Sequence, residues 1–220
     1  MNEISYEIIR SDRKSIALVI DSEANLIVRA PRKSKESDIA DFVEKKKRWI
    51  ADKQHQVSVF GEKHSPVVFE SGESLLYLGN TYTILKETVT DIKFSSTNIL
   101  IPDGYTKADV IAWLKGEAET VLTERVSRYA GIMGVTYSSV KLSEAKARWG
   151  SCSAKDNLNF AWRLIMCPMA VIDYVVVHEL SHIAYKNHSP GFWARVKTVL
   201  PNYKEQQDWL KVNRKLMEII

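Results

Sequence analysis

Nowhere in its 220 residues does the chain carry a run of about 18 apolar side chains, so no membrane-crossing helix is expected. Cysteine is scarce. Cys152 and Cys167 stand alone, which excludes the disulfide framework of small secreted domains. The opening Met1-Asn2-Glu3-Ile4-Ser5-Tyr6-Glu7 has acids where a secretory leader needs bases, and no apolar segment follows. The expected location is therefore cytoplasmic. No sign of charge dominates: 31 basic residues face 27 acidic ones, a net charge of +4. That balance leaves a nucleic-acid partner possible but not indicated. Repeats and low-complexity segments are also lacking.

What is present is an ordinary globular composition, 45% hydrophobic and 26% charged, enough for a real core. Ile4 to Arg10, Ser15 to Asp21 and Asn25 to Ala30 are short apolar runs split by charged clusters, which predicts a meander of antiparallel strands. Ser37 can cap a helix reaching about Gln56, with Ile39, Phe42, Val43, Trp49 and Ile50 as its apolar stripe. A hairpin is predicted over Leu75 to Ile84, turning at Gly79-Asn80.

Pro102-Asp103-Gly104 is the strongest punctuation and divides the chain into a β-rich region, 1–102, and a second region, 103–220. The second opens with an amphipathic helix from Lys107 to Ile132, ended by Gly131 and Gly134. Leu158, Phe160, Trp162 and Leu164 then alternate with Asn159, Ala161 and Arg163, a strand pattern. Its hairpin partner is expected over Val140 to Trp149. Pro168 suits the first turn of a helix over Met169 to Lys186, and further helix follows from Gly191.

Chemistry concentrates in Val175-Val176-Val177-His178-Glu179-Leu180-Ser181-His182. Residues four apart on a helix share a face, so both imidazoles can reach one ion, and neutral imidazole suits zinc. Glu179, offset by about 100°, can still lean over the site and take a proton from water that the metal activates. A catalytic zinc needs a third protein ligand and one open position. His188 is the candidate. Six further helical residues would carry it about 9 Å along the axis, so the chain must bend back, with Lys186-Asn187 as the expected bend and Ser189-Pro190-Gly191 barring regular helix beyond. The spacing equals the metzincin HExxHxxGxxH, although Tyr185 stands at the glycine and no Met-turn is evident. Two histidines on a helix can be merely structural. Burying them with a carboxylate on so apolar a helix would then be costly, and three of the five histidines fall within residues 178–188.

Taken together, Arg148-Trp149-Gly150-Ser151-Cys152-Ser153, Asn159 to Leu164, Asp173 to His182 and Asn187 to Trp193 resemble the YgjP-like family of zinc metallopeptidases. The resemblance spans nearly the whole chain. It implies an α+β, zincin-like fold with the active helix on a small, mostly antiparallel sheet. It also implies zinc ligands His178, His182 and His188, Glu179 as catalytic base, one Zn²⁺ per chain, and peptide or protein substrates. The similar SprT-like proteases include some that act on DNA-bound proteins. By the same resemblance, the Val140 to Trp149 strand is the candidate edge for an extended substrate.

Other residues carry divided readings. Arg148 and Trp149 are candidate substrate contacts, Arg148 for a carboxylate or oxyanion, while Trp149 can equally cap the hairpin core. Cys152 has a deformylase-like alternative as third ligand, against a half-buried structural thiol; Cys167 reads as core. Asp173 reads as solvated or capping rather than as a partner of a ligand. Tyr185 reads as packing at the helix end, or as a contact to the reacting group. His55 and His64 read as surface residues. The basic runs Arg29 to Lys35 and Lys45 to Arg48 read as solvated rather than phosphate-binding. Three functions stay open: a zinc peptidase, a zinc amidohydrolase on a non-peptide amide, and a nucleic-acid module with a structural zinc.

Overall fold

The computed structural model describes residues 4–21, 24–63 and 67–220, with side chains from 4–21, 24–55 and 67–220. His64 lies outside the described residues. The fold is α+β. Two compact units form: Met1–Ser65 with Val212–Lys215, and Pro66–Lys211 with Leu216–Ile220.

The first unit holds strands β1 (Tyr6–Ser11), β2 (Ala17–Ile20) and β3 (Leu26–Pro31), then helices α1 (Glu36–Lys45) and α2 (Lys47–Lys63). Period two in β3 buries Leu26, Val28 and Ala30 on one face. Ile39, Val43 and Ile50 of the helices complete that core. The single helix expected from Ser37 is two helices that part at Lys46, and α1 begins without a side-chain cap. Trp49 falls outside the buried stripe, 41% exposed. His55 is exposed.

In the second unit, β4 (Ser74–Tyr77), β5 (Asn80–Glu87), β6 (Lys93–Ser95) and β7 (Asn98–Pro102) form one sheet, in order β4-β5-β7-β6. Pro102-Asp103-Gly104 is the break between β7 and helix α3 (Lys107–Met133), inside this unit. Thr106 and Asp109 form a reciprocal capping box at the start of α3, and left-handed Gly134 (φ +62°) ends it. A second sheet follows, β8 (Ser139–Ser143), β9 (Gly150–Cys152) and β10 (Asn157–Ala161), in order β8-β10-β9. After β10 come a 3-10 turn (Trp162–Met166) and helices α4 (Met169–Ala184), α5 (Pro190–Val199) and α6 (Tyr203–Val212).

The expected antiparallel meander at the N-terminus is corrected: β1 pairs β3 in parallel, and β2 pairs β3 antiparallel. The expected hairpin of Val140–Trp149 with the Leu158 strand is corrected in the same way. β8 pairs β10 in parallel, and the antiparallel partner of β10 is the short β9. The order recurs once more in β5-β7-β6. Three times, therefore, the chain lays down a strand, adds a hairpin, and inserts the hairpin's second strand beside the first. Alternation of side chains marks a strand but does not choose its neighbour. The strand expected to reach Leu164 stops at Ala161, because the buried run Phe160 to Cys167 needs a tighter path than a two-faced strand gives.

Two features fix α4. The β4–β5 turn is made by Leu78 (φ +49°) and Gly79 (φ +79°), left-handed at both central positions as a tight hairpin requires. The Leu78 and Gly79 amides donate to the Ile165 and Met166 carbonyls at 2.7 and 3.2 Å. A Cβ on Gly79 would lie 2.8 Å from Pro168, the residue that starts α4. On the other flank, Arg125 of α3 donates from Nε and Nη2 to the two Asp173 oxygens, each at 2.6 Å. Asp173 is thus 9% exposed and cross-links two helices, not solvated as the sequence suggested. Removing its carboxylate strands a guanidinium in a poorly hydrated site, so Asp173→Ala is expected to cost about 3 kcal/mol. Urea denaturation checks this; a loss under about 1 kcal/mol would make the pair a surface-grade one.

Candidate metal centre

Helix α4 is apolar almost all round: Val171 to Val177 and Glu179 to Ser181 are buried. His178 and His182 are half-buried on one face, with ring centroids 5.0 Å apart. The helix stops at Tyr185, whose extended backbone (φ −129°, ψ 99°) turns the chain. The chain then bends through Lys186 and Asn187, where the bend was expected, although Asn187 does not take the left-handed conformation. Exposed His188 follows, and Ser189 caps α5 by accepting from the Phe192 amide, with Pro190 in the first turn. The tail of one helix and the cap of the next thus return His188 to α4.

The outcome is a cluster. One ligand atom from each of His178, His182 and His188 lies within 4.8 Å of the others, and His188 Nε2 is 3.0 Å from His178 Nε2. Around one tetrahedral ion with bonds near 2.0–2.1 Å, ligand nitrogens stand about 3.3 Å apart, so the donor set fits such an ion. Among the described residues no other such group of three or more is found, and Cys152 is not part of this one. Cys152 is half-buried and Cys167 fully buried.

His178 is held neutral. Burial first, then the neighbouring His182 and His188, push its pKa down to about 3. Burial also lowers His182, against a raising contact from the Tyr185 carbonyl, 3.0 Å from its Nδ1. A proton on Nδ1 donated to that carbonyl leaves Nε2 as the free lone pair. Neutral imidazoles are the form in which histidine binds metals.

Glu179 is 5% exposed, and burial pushes its carboxyl up to about 8 while Arg148 pulls it down. It lies against β9: a Cβ on Gly150 would sit 2.7 Å from Glu179 Oε1 and 2.8 Å from its Cγ. Arg148 is exposed and Trp149 half-buried, its carbonyl accepting from the Ala161 amide at 2.8 Å. β9 is an edge strand of its sheet, next to Glu179. β8 is the other edge strand, and the edge expected over Val140–Trp149 falls on it and on the connection that follows. Tyr185 is 39% exposed, its ring lying over Gly191 where a Cβ would meet Cε1 at 2.8 Å. A cavity of about 440 Å³ lies on the earlier turns of α4, lined by Ala170, Asp173, Leu200, Pro201, Asn202 and Gln206, and none of the three histidines lines it.

A family model for the YgjP-like metallopeptidase domain matches residues 14–213. The chain belongs to the YgjP-like metallopeptidase family. It is an enzyme, and as a metallopeptidase it acts on peptide or protein substrates. No curated protein matches it. Among solved structures, the metallopeptidase zymogen of Pyrococcus abyssi abylysin is similar at 22% identity, over 40% of this chain and 90% of that one, with a TM-score of 0.38. The zymogen of Methanocaldococcus jannaschii jannalysin is similar at 19% identity, over 43% of this chain and 96% of that one, with the same TM-score of 0.38. No helix of the described YgjP-like chain is long and apolar enough to cross a membrane.

Sequence reasoning did not single out Gly150, Phe192, Trp193 or Tyr203. Phe192 is fully buried with its ring 4.6 to 4.9 Å from all three imidazoles. Its signal was available: an aromatic pair four and five residues past His188, in a segment already expected to fold back on α4.

Proposed function

We propose that this metallopeptidase is zinc-dependent, with His178, His182 and His188 as the protein ligands and Glu179 as the general base. The reading rests on the convergence of three imidazole nitrogens within 4.8 Å, next to the buried Glu179. Among the described residues no fourth protein donor joins the three histidines, which leaves one position open, as a catalytic site needs. Zinc bound there supplies a Lewis acid and lowers the pKa of water it holds to about 7.

The chain's own residues do the rest. Glu179 is buried, so burial raises its carboxyl in the metal-free chain, and a bound divalent cation would favour its ionised form, in which it accepts a proton from the attacking water and returns it to the leaving amine. Arg148, exposed and within electrostatic reach of Glu179, is suited to a substrate carboxylate or the developing oxyanion. The edge of β9 offers main-chain hydrogen bonds to an extended peptide, which would lay a scissile bond near Glu179.

Elemental analysis of protein purified without chelator tests the ligand set. Wild type is expected to hold one zinc per chain, His188→Ala to lose it and Cys152→Ser to keep it. Zinc lost with Cys152→Ser and kept with His188→Ala would replace this reading by the deformylase-like one.

A further inference from the structure

His188 differs from the other two histidines. His178 and His182 ride on a packed helix, whereas His188 is exposed in the short link between α4 and α5. Ligating histidines are commonly oriented by a hydrogen bond from the second ring nitrogen, as the Tyr185 carbonyl does for His182. Among the described residues, the sole hydrogen-bond-range contact of the His188 ring is His178 Nε2, itself a proposed ligand. Its orientation must come from elsewhere.

It comes from stacked rings. Trp193 lies face to face with His188, centroids 5.5 Å apart and planes 23° apart. Tyr203, at the start of α6, stacks on Trp193 at 5.4 Å and 16°. Tyr174 of α4 stacks on Tyr203 at 6.3 Å and 16°, and its edge meets His178 at 5.8 Å. The rings thus form a closed circuit from one histidine, through α5 and α6, back to another on α4. Tyr203 is 9% exposed, so the far end is anchored in packed structure. Phe192 forms the floor under all three imidazoles.

We infer that Trp193, backed by Tyr203, is the positioning element for His188, a stack replacing the hydrogen bond that a ligating histidine usually has. This inference rests on His188 being a metal ligand. Offset-stacked rings restrict tilt and approach. A histidine on a link would otherwise lose side-chain and backbone freedom on binding; the stack removes that freedom beforehand. Loss of an outer partner of a ligand typically weakens metal binding 10–100-fold.

The test is zinc affinity of the intact chain, by competition with a chromophoric chelator, in wild type, Trp193→Ala, Trp193→Phe, Tyr203→Leu and His188→Ala. Trp193→Ala is expected to bind zinc about 10–100-fold more weakly. Trp193→Phe keeps a ring over His188 and is expected within about threefold of wild type. Tyr203→Leu is expected to fall between them. With Co²⁺ in place of zinc, the visible absorption of Trp193→Ala should shift, a signature that general destabilisation does not produce in a chain that still gives a native circular-dichroism spectrum. Should Trp193→Ala fail to fold, Tyr203→Leu decides. Wild-type affinity in Trp193→Ala, or in Tyr203→Leu, overturns the inference. Wild-type affinity in His188→Ala is a different result: the ligand assignment itself then fails.

Discussion

Gly150→Val is expected to lower kcat by two to four orders of magnitude while the chain keeps its metal. Gly150 does not have a left-handed φ, so its backbone tolerates a side chain. Space is the obstacle: a Cβ would come within 2.7 to 3.0 Å of Glu179 Oε1, Cγ and Cδ. Real Cβ atoms do not approach so closely, and Glu179 is too buried to swing into solvent freely. The branched valine therefore pushes the carboxylate from its place, and misplacement by about 1 Å can cost on the order of 100-fold. Glu179→Gln keeps the shape and removes the base, so it sets the lower limit. Both variants should hold wild-type zinc, because neither changes an imidazole. If Gly150→Val loses kcat, with KM little changed and zinc at one per chain, the close approach of β9 holds the base. If kcat stays within threefold, Glu179 is not held by that contact, or is not the base.

The comparison between Gly150 and the His178 run shows what a sequence can disclose. His178, Glu179 and His182 were legible because helical period fixes their mutual geometry within five residues, and the apolar run around them announced a buried helix. The long helix α3 was legible for the same reason, through its period and Gly134, while its Thr106 capping box was not read. The closeness of Gly150 to Glu179 is a contact between a three-residue strand and a helix 29 positions on, and no local pattern encodes it. Arg125 and Asp173 pair across 48 positions, so Asp173 looked like an ordinary polar residue near a helix start. Strand order failed likewise. Alternation in Leu158 to Leu164 gave the strand, but the parallel partner β8 was mistaken for the second arm of a hairpin. Trp193 and Tyr203 drew no reading of their own, because only the fold of α5 and α6 brings them into one stack beside His188.

The buried charges of the site also predict an unusual pH profile for the metal-free chain. Glu179 titrates at about 8 when folded against an ordinary 4.5. Between those values the folded chain keeps a proton that the unfolded chain releases, so stability falls as pH rises. His178 moves the other way, from 6.5 down to about 3. Between those values the unfolded chain binds the extra proton, so stability rises with pH. From pH 4.5 to 6.5 the two slopes oppose each other, and His182, lowered from 6.5 by burial, adds a rise with pH just below 6.5. Above 6.5 Glu179 acts alone, and stability is expected to fall by about 2 kcal/mol on reaching pH 8. Below 4.5 Glu179 no longer contributes, and His178 costs about 2 kcal/mol by pH 3; Glu144, held low by Lys115 and Trp162, deepens this acid arm. Thermal melts of chelator-treated protein at pH 4.5, 6.5 and 8 should therefore show no loss over the first step. A drop of roughly 4–8 °C is expected over the second. Glu179→Gln should abolish the alkaline drop and leave the acid arm. Zinc should also flatten the alkaline arm, because a divalent cation favours the ionised carboxylate, but it should steepen the acid arm, because its ligands must stay deprotonated. An unchanged alkaline drop in Glu179→Gln would mean that the buried carboxylate is not its source.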